Sequence, residues 1–287
     1  MLRDILALGA KAVTNNNGKR LSVILFDLGF TLINFEGDFH QAMKESYVAL
    51  ANSLVKSGYP IEVPLRIFLR KKQPQSGYPI EVASFAKKFE GVISEYYRCR
   101  AIDLIERPVE ESLQKVLADI GLNHLPQSDL QEAVKSMYTY TESWWKIEPD
   151  AHATLTKLRE MGYRLGLISN AANTPDLNRL IDNHNLRGYF EVIVISADEG
   201  IRKPDPRIFS RTLARFGVKP EHAAMVGDTL PADILGAHNA GICSIWITRR
   251  ANREENNTVQ GIIHPDHTIP DLASLVDLVK LIDSQTS

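Results

Sequence analysis

The chain has 287 residues, 44% of them apolar and 24% charged, which excludes a fibrous or long disordered protein and leaves one large domain or two modest ones. Its 33 Lys and Arg against 35 Asp and Glu give a formal charge of −2, no footprint for nucleic acid or an anionic membrane but room for a local anion site. No apolar run approaches the ~18 residues of a spanning helix, and Cys99 and Cys243 lie far apart and outside any metal-ligand spacing, so a reducing, cytoplasmic setting is expected.

In chain order, Met1–Ala12 is a short apolar stretch in which Asp4 cancels Arg3 and Lys11 interrupts, which argues against an export signal. Leu21–Phe26 is an apolar, β-branched run ending at Asp27 and predicts a buried strand. From about Asp38 to Lys146 the pattern is helical, bounded by breaks at Asn34–Gly37 and Glu148–Asp150. Inside this block Ser57–Val63 and Ser76–Val82 both read SGYPIEV, a duplication too short for a repeat fold. Trp144 and Trp145, beside the second break, are expected in core or hinge packing rather than as a stacking platform for a ring. Beyond Asp150, strands are predicted at Arg164–Ile168, Phe190–Ile195, Ala223–Val226 and Cys243–Thr248. Helices are expected at Ala151–Met161, Pro206–Phe216 and Ala232–Ala240. Leu272, Leu275, Val276, Val279 and Ile282 have the spacing of a closing amphipathic helix.

Strands alternating with helices imply right-handed crossovers and a helix-covered parallel sheet, an α/β fold. The first strand stands apart from the others, so the helical block reads as an insertion. Residues 1–36 and 148–287 then form the core, and 37–147 the inserted all-helical part.

Ligands of an open parallel sheet bind beyond the carboxyl ends of its strands. There the sequence places Asp27, then Ser169-Asn170, then Gly227-Asp228-Thr229-Leu230-Pro231-Ala232-Asp233, with Arg202-Lys203-Pro204 ahead of a helix. Singly, each is a weak sign: a strand-end Asp is most often a turn former or helix cap, and Lys-Pro a solvated loop. Together, three carboxylates, a hydroxyl, an amide and a lysine converge on one sheet edge. Crowded carboxylates repel, and a divalent cation such as Mg²⁺ is the usual remedy. A carboxylate can also act as nucleophile and form an aspartyl-phosphate. The pattern points to phosphoryl transfer on a small phosphorylated or related anionic substrate.

From Leu21 to about Thr248 the sequence resembles the haloacid dehalogenase superfamily. Asp27-Leu28-Gly29-Phe30-Thr31 is similar to its first motif, Ser169 to its second, Lys203-Pro204 to its third, and Gly227 through Asp233 to its fourth. The resemblance implies a Rossmann-like core with a helical cap inserted between the first two motifs. It implies Asp27 as nucleophile, Thr31, Ser169 and Asn170 on the substrate side, and Lys203 neutralising the phosphoryl group and ordering the aspartates. Mg²⁺ would take Asp27, the Gly29 carbonyl and Asp228, with Asp233 as a further ligand or an acceptor behind them.

One departure matters. Phosphatases of this family carry a second Asp two residues after the nucleophile, where this chain has Gly29. Glycine keeps the carbonyl ligand but cannot protonate a leaving oxygen, a contribution of ~10²–10⁴ in rate. Four activities therefore stay open: a Mg²⁺-dependent phosphatase acting on good leaving groups or borrowing a proton; a phosphonate hydrolase using a cap lysine among Lys44, Lys56, Lys87 and Lys88; a non-catalytic phosphate-binding protein; and a metal-free dehalogenase. The acidic residues Asp228 and Asp233 argue against the last. Neither the substrate nor the oligomeric state is encoded in any legible motif.

Overall fold

A computed structural model describes residues 21–62 and 80–284. The Met1–Ala12 reading and, within the duplication, residues 63 and 76–79 lie outside them. The core begins with β1 (Val23–Phe26) and resumes after the helical block with α5 (Ala151–Glu160), β6 (Arg164–Ser169), α6 (Thr174–Asn183), β7 (Val192–Ile195), α7 (Ser196–Glu199), α8 (Pro206–Phe216) and β8 (Ala223–Gly227). It closes with α9 (Leu235–Asn239), β9 (Cys243–Ile247), α10 (Glu254–Asn257), β10 (His267–Ile269) and α11 (Leu275–Ser284).

The six strands pair in parallel in the order β10-β9-β8-β1-β6-β7. All four residues of β1 are buried, as its unbroken apolar run requires for a strand covered on both faces. Alternation then sorts the core. Ile24, Phe26, Leu165 and Leu167 pack with Leu155, Leu177 and Val279 from α5, α6 and α11. Val23, Leu25 and Ile168 pack with Ile208, Phe209 and Phe216 of α8 on the other face. The expected strands and helices are present with shifted ends. β10 has no counterpart in the sequence reading: three residues at a sheet edge carry too little pattern. The helix expected from Ala232 is preceded by a single wide turn over Leu230–Ile234.

The inserted part holds α1 (Phe39–Lys56), α2 (Val82–Asp103), α3 (Val109–Asp119) and α4 (Gln127–Glu142). It has its own apolar centre, built from residues such as Leu50, Leu54, Phe85, Phe89, Leu113 and Val134. Two short strands, β3 (Ile61–Glu62) and β4 (Ile80–Glu81), pair in parallel with Ile61 opposite Ile80, so the described ends of the duplicated segments lie in equivalent register.

The insertion's two boundaries are not simple breaks. β2 (Ile33–Phe35) and β5 (Trp145–Ile147) form an antiparallel ribbon with Phe35 opposite Trp145. Two segments crossing one boundary side by side satisfy each other's backbone groups, which loops there would leave to water. Trp144 stacks on Phe35 at 5.9 Å and Trp145 meets it edge-on at 5.3 Å, so both take up the expected hinge packing. A second junction lies past α2, where Ile105 bridges Ile201, the Arg202 amide donates to the Leu104 carbonyl (3.1 Å) and the Glu106 amide to the Gly200 carbonyl (3.2 Å). Among the described residues no helix is long and apolar enough to cross a membrane.

Candidate active site

Asp27 follows β1 directly, and its amide donates to the Val226 carbonyl, which holds it level with the end of β8. Lys203 comes from the loop between α7 and α8 and is only 2% exposed. Its ammonium donates to Asp27 Oδ1 (2.7 Å), Asp233 Oδ1 (2.6 Å) and the Ile168 carbonyl (2.8 Å). An ammonium has three protons, and all three are spent on protein acceptors. Burial works against the Lys203 charge, but the carboxylates of Asp233 and Asp27 outweigh it and hold its pKa above the ordinary lysine range.

Asp233 is fully engaged. Its second oxygen accepts from the Thr229 amide at 3.0 Å, which ties it into the wide turn after β8. Its carboxyl folds against Gly227, where an added Cβ would come within 2.3 Å of it; this is why the residue before Asp228 must be glycine. Asp228 accepts from the Thr229 hydroxyl (3.2 Å) and from Arg253 Nη1 (3.0 Å), while its carbonyl takes Trp246 Nε1 and Asn256 Nδ2. Burial first, then the charges of Asp27 and Asp233, push the Asp228 carboxyl up to about 8. Burial likewise lifts Asp233 to about 6, although Lys203 pulls it down.

One oxygen from each of Asp27, Asp228 and Asp233 can be chosen so that all lie within 4.8 Å of one another. Three buried carboxylates in that space resist full ionisation unless a cation joins them, and all-oxygen donors suit a hard divalent ion. The residues present therefore fit Mg²⁺.

Ser169 ends β6 and Asn170 follows it, and both line the same cavity of ≈ 590 Å³ as Asp27, Gly29 and Lys203. The Asn170 side chain is largely committed elsewhere: its Nδ2 donates to the Lys203 carbonyl (3.0 Å) and its Oδ1 accepts from the Lys203 amide (2.9 Å). It thereby fixes the lysine's backbone. Thr31 departs from expectation. It is fully buried, its hydroxyl oxygen has no hydrogen-bond partner, and it is not on the cavity wall. The turn carries Thr31 inward, leaving Phe30, at φ 61°, to face the cavity in its place.

Sequence reasoning missed Arg253, which pairs with Asp228 and lies over the Phe30 ring at 4.1 Å. It follows β9, beyond the last motif, and no local signal marks it. Trp145, expected in core or hinge packing, also lines the cavity; a Cβ on Gly29 would lie 3.7 Å from its ring. Of the four candidate cap lysines only Lys44 reaches the cavity wall.

The family profile of haloacid dehalogenase-like hydrolases matches residues 21–241. A glyceraldehyde 3-phosphate phosphatase of Methanopyrus kandleri is 33% identical over 192 residues, 62% of this chain and 82% of that protein. Its namesake in Pyrococcus furiosus is 26% identical over 264 residues, 91% and 94% of the two chains. A 2-haloacid dehalogenase structure from Pseudomonas syringae superposes with a TM-score of 0.62 at 22% identity, covering 91% of this chain and 99% of that one. At that identity the likeness speaks for the fold alone.

Proposed function

The chain belongs to the haloacid dehalogenase-like hydrolases, and on that premise we propose that it is a Mg²⁺-dependent phosphomonoester phosphatase working through an aspartyl-phosphate on Asp27. The observation that carries this reading is the buried Asp27–Lys203–Asp233 ion pairing with Asp228 in the same small space. Halide displacement from carbon needs no third buried carboxylate, whereas a phosphoryl site needs a cation to offset charge on both partners. The relatives named as phosphatases agree with it.

Lys203 holds one oxygen of Asp27, so the other attacks phosphorus. The Oδ–P bond forms as the bond to the leaving oxygen breaks, and water then cleaves the acyl phosphate to free the carboxylate. Because its protons are committed, Lys203 acts by fixing Asp27 and by its charge, not by a direct bond to the phosphoryl group. Asn170 keeps that lysine in place, and Ser169, on the cavity wall, would donate its hydroxyl to a phosphoryl oxygen. Asp27, Asp228 and the Gly29 carbonyl, with Asp233 behind them, would hold Mg²⁺, which would supply charge stabilisation for the phosphoryl oxygens. No side chain at position 29 protonates the leaving group, so good leaving groups are favoured. Residues 37–147 serve as the cap that excludes water from this site.

Phosphate release from a panel of phosphate esters, with and without Mg²⁺, tests the reading. Wild type should be active only with the metal, and Asp27→Asn inactive, since an amide cannot form the intermediate. Activity in that variant within tenfold of wild type would overturn the assignment.

Lys44 at the cavity wall supports a second reading, phosphonate cleavage through a lysine imine. Borohydride inactivation that requires a phosphonate substrate, abolished by Lys44→Arg, would select it.

A further inference from the structure

Beside the second junction of insertion and core lies a buried charge cluster that the phosphoryl chemistry does not use. Arg100 comes from the last turn of α2 and Arg202 from the residue before Lys203. Between them Glu106 has a side chain with no exposure. Its Oε1 accepts from Arg100 Nη1 at 2.8 Å and from the Tyr96 hydroxyl; its Oε2 accepts from the Ser196 hydroxyl at 2.9 Å. Arg202 Nη1 stands 3.6 Å from Oε2, an ion-pair distance outside hydrogen-bonding range. That nitrogen is buried and has no hydrogen-bond partner.

Two guanidiniums thus share one carboxylate, which is already filled by other donors. The cluster carries an uncompensated positive charge, and a buried donor without an acceptor is costly. Burial and the neighbouring Arg100 hold the Arg202 pKa below its ordinary value. A purely structural strap would need only one arginine for Glu106. Arg100 is also oriented, its guanidinium lying over the Tyr97 ring at 4.0 Å. Both arginines line the same cavity as Asp27.

We propose that Arg100 and Arg202 form a second anion subsite, which binds a carboxylate or a second phosphate carried by the substrate away from its reacting phosphoryl group. This rests on the phosphatase reading and narrows it to phosphomonoesters with a second anionic end. A guanidinium fork pairs with two oxygens of either group. One arginine comes from the insertion and the other from the core, so the subsite is complete only when the two are docked as here.

The test uses ω-phosphorylated carboxylic acids of graded chain length, each paired with its primary amide, which keeps the shape and removes the charge. Diol bisphosphates paired with their monophosphates form the second arm. In wild type, kcat/KM should favour the charged member about 10–100-fold at the chain length that spans the sites. Arg100→Gln and Arg202→Gln should each bring the ratio toward one, with the loss mainly in KM. The arm that shows the larger ratio identifies the anion. Turnover of both members with no preference at any length overturns the subsite and leaves the phosphatase reading standing. If wild type hydrolyses no phosphate ester, that reading fails, and calorimetric binding of the same pairs judges the subsite alone: acid-selective binding lost in Arg100→Gln supports it, and equal or absent binding overturns it. The wild-type ratio needs no variant, so a misfolded mutant does not rescue the proposal.

Discussion

Gly29→Asp restores a carboxyl two residues after the nucleophile, and the structure says what it would meet. An added Cβ lies 3.7 and 3.8 Å from two ring carbons of Trp145, ordinary van der Waals contact, and the backbone there is not in the left-handed region that favours glycine. The substitution therefore needs no backbone strain and no displaced neighbour at Cβ. The new carboxyl joins Asp27, Asp228 and Asp233, where burial first and then the neighbouring carboxylates lift Asp228 to about 8. Burial and neighbouring negative charge act in the same direction on the newcomer and favour its protonated form, the state a general acid requires.

Positioned proton donation is worth ~10²–10⁴ in rate, or about 3–5 kcal/mol of barrier. It should appear only where the leaving oxygen needs a proton. In the parent, 4-nitrophenyl phosphate should turn over far faster than glycerol phosphate. In Gly29→Asp the alkyl ester should gain by up to that factor and the aryl ester little. Gly29→Asn, of the same shape without an acidic proton, should gain on neither, which separates donation from repacking against Trp145. The gain should fade as pH rises past the new acid's pKa. If Gly29→Asp folds and binds Mg²⁺ yet gains nothing on alkyl esters, and the parent shows no leaving-group preference, the missing-acid reasoning is refuted.

Mg²⁺ at a hundred times its Kd should raise the melting temperature by roughly 5–10 °C, from about 2.7 kcal/mol of linkage; an unchanged melt at millimolar Mg²⁺, with activity surviving chelator, would contradict the metal site. Gly227→Ala places a methyl 2.3 Å from the Asp233 carboxyl, so it should cost about 1–3 kcal/mol in urea unfolding and depress kcat by loosening Lys203; full activity at parental stability would show that Asp233 does not hold the lysine. Burial lifts the Asp176 carboxyl from 3.8 to about 7. The folded state then binds the extra proton between these values, and its stabilisation, up to about 4 kcal/mol, is lost as pH rises through 7. Asp176→Asn should flatten that slope and be the more stable protein at pH 8, read by urea midpoints across pH.

The clustered carboxylates were legible because Asp27 and Asp228 each follow a buried apolar strand, with Asp233 in the turn behind the second, and a parallel sheet brings such ends to one edge. Asp27, Asp228 and Asp233 meet for that reason, and Lys203 joins them from the loop before a clearly amphipathic helix. What escaped depends on pairing between distant segments. β2 and β5 are three-residue pieces that become strands only by finding each other across the insertion. Arg253 acts on a carboxylate 25 residues earlier, through the return of the chain after β9. Thr31 fits the motif letter for letter, yet the turn buries its hydroxyl away from the cavity. Arg202 stood next to Lys203 in the sequence without a role, because its partners Arg100 and Glu106 come from the insertion.

That last adjacency ties substrate contact to chemistry. The segment Leu104–Glu106 pairs with Gly200–Arg202 through the two backbone hydrogen bonds of the Ile105–Ile201 bridge. The next residue is Lys203, whose own backbone is clamped by Asn170 and whose ammonium fixes Asp27. On the other side, Trp145 enters from the β2–β5 ribbon to lie beside Gly29. The insertion therefore meets the core beside Lys203 and beside Gly29, and again near Ala172, whose carbonyl accepts from the Val109 amide. Parting the insertion from the core at the second junction would break backbone bonds one residue from Lys203, which holds Asp27 and Asp233.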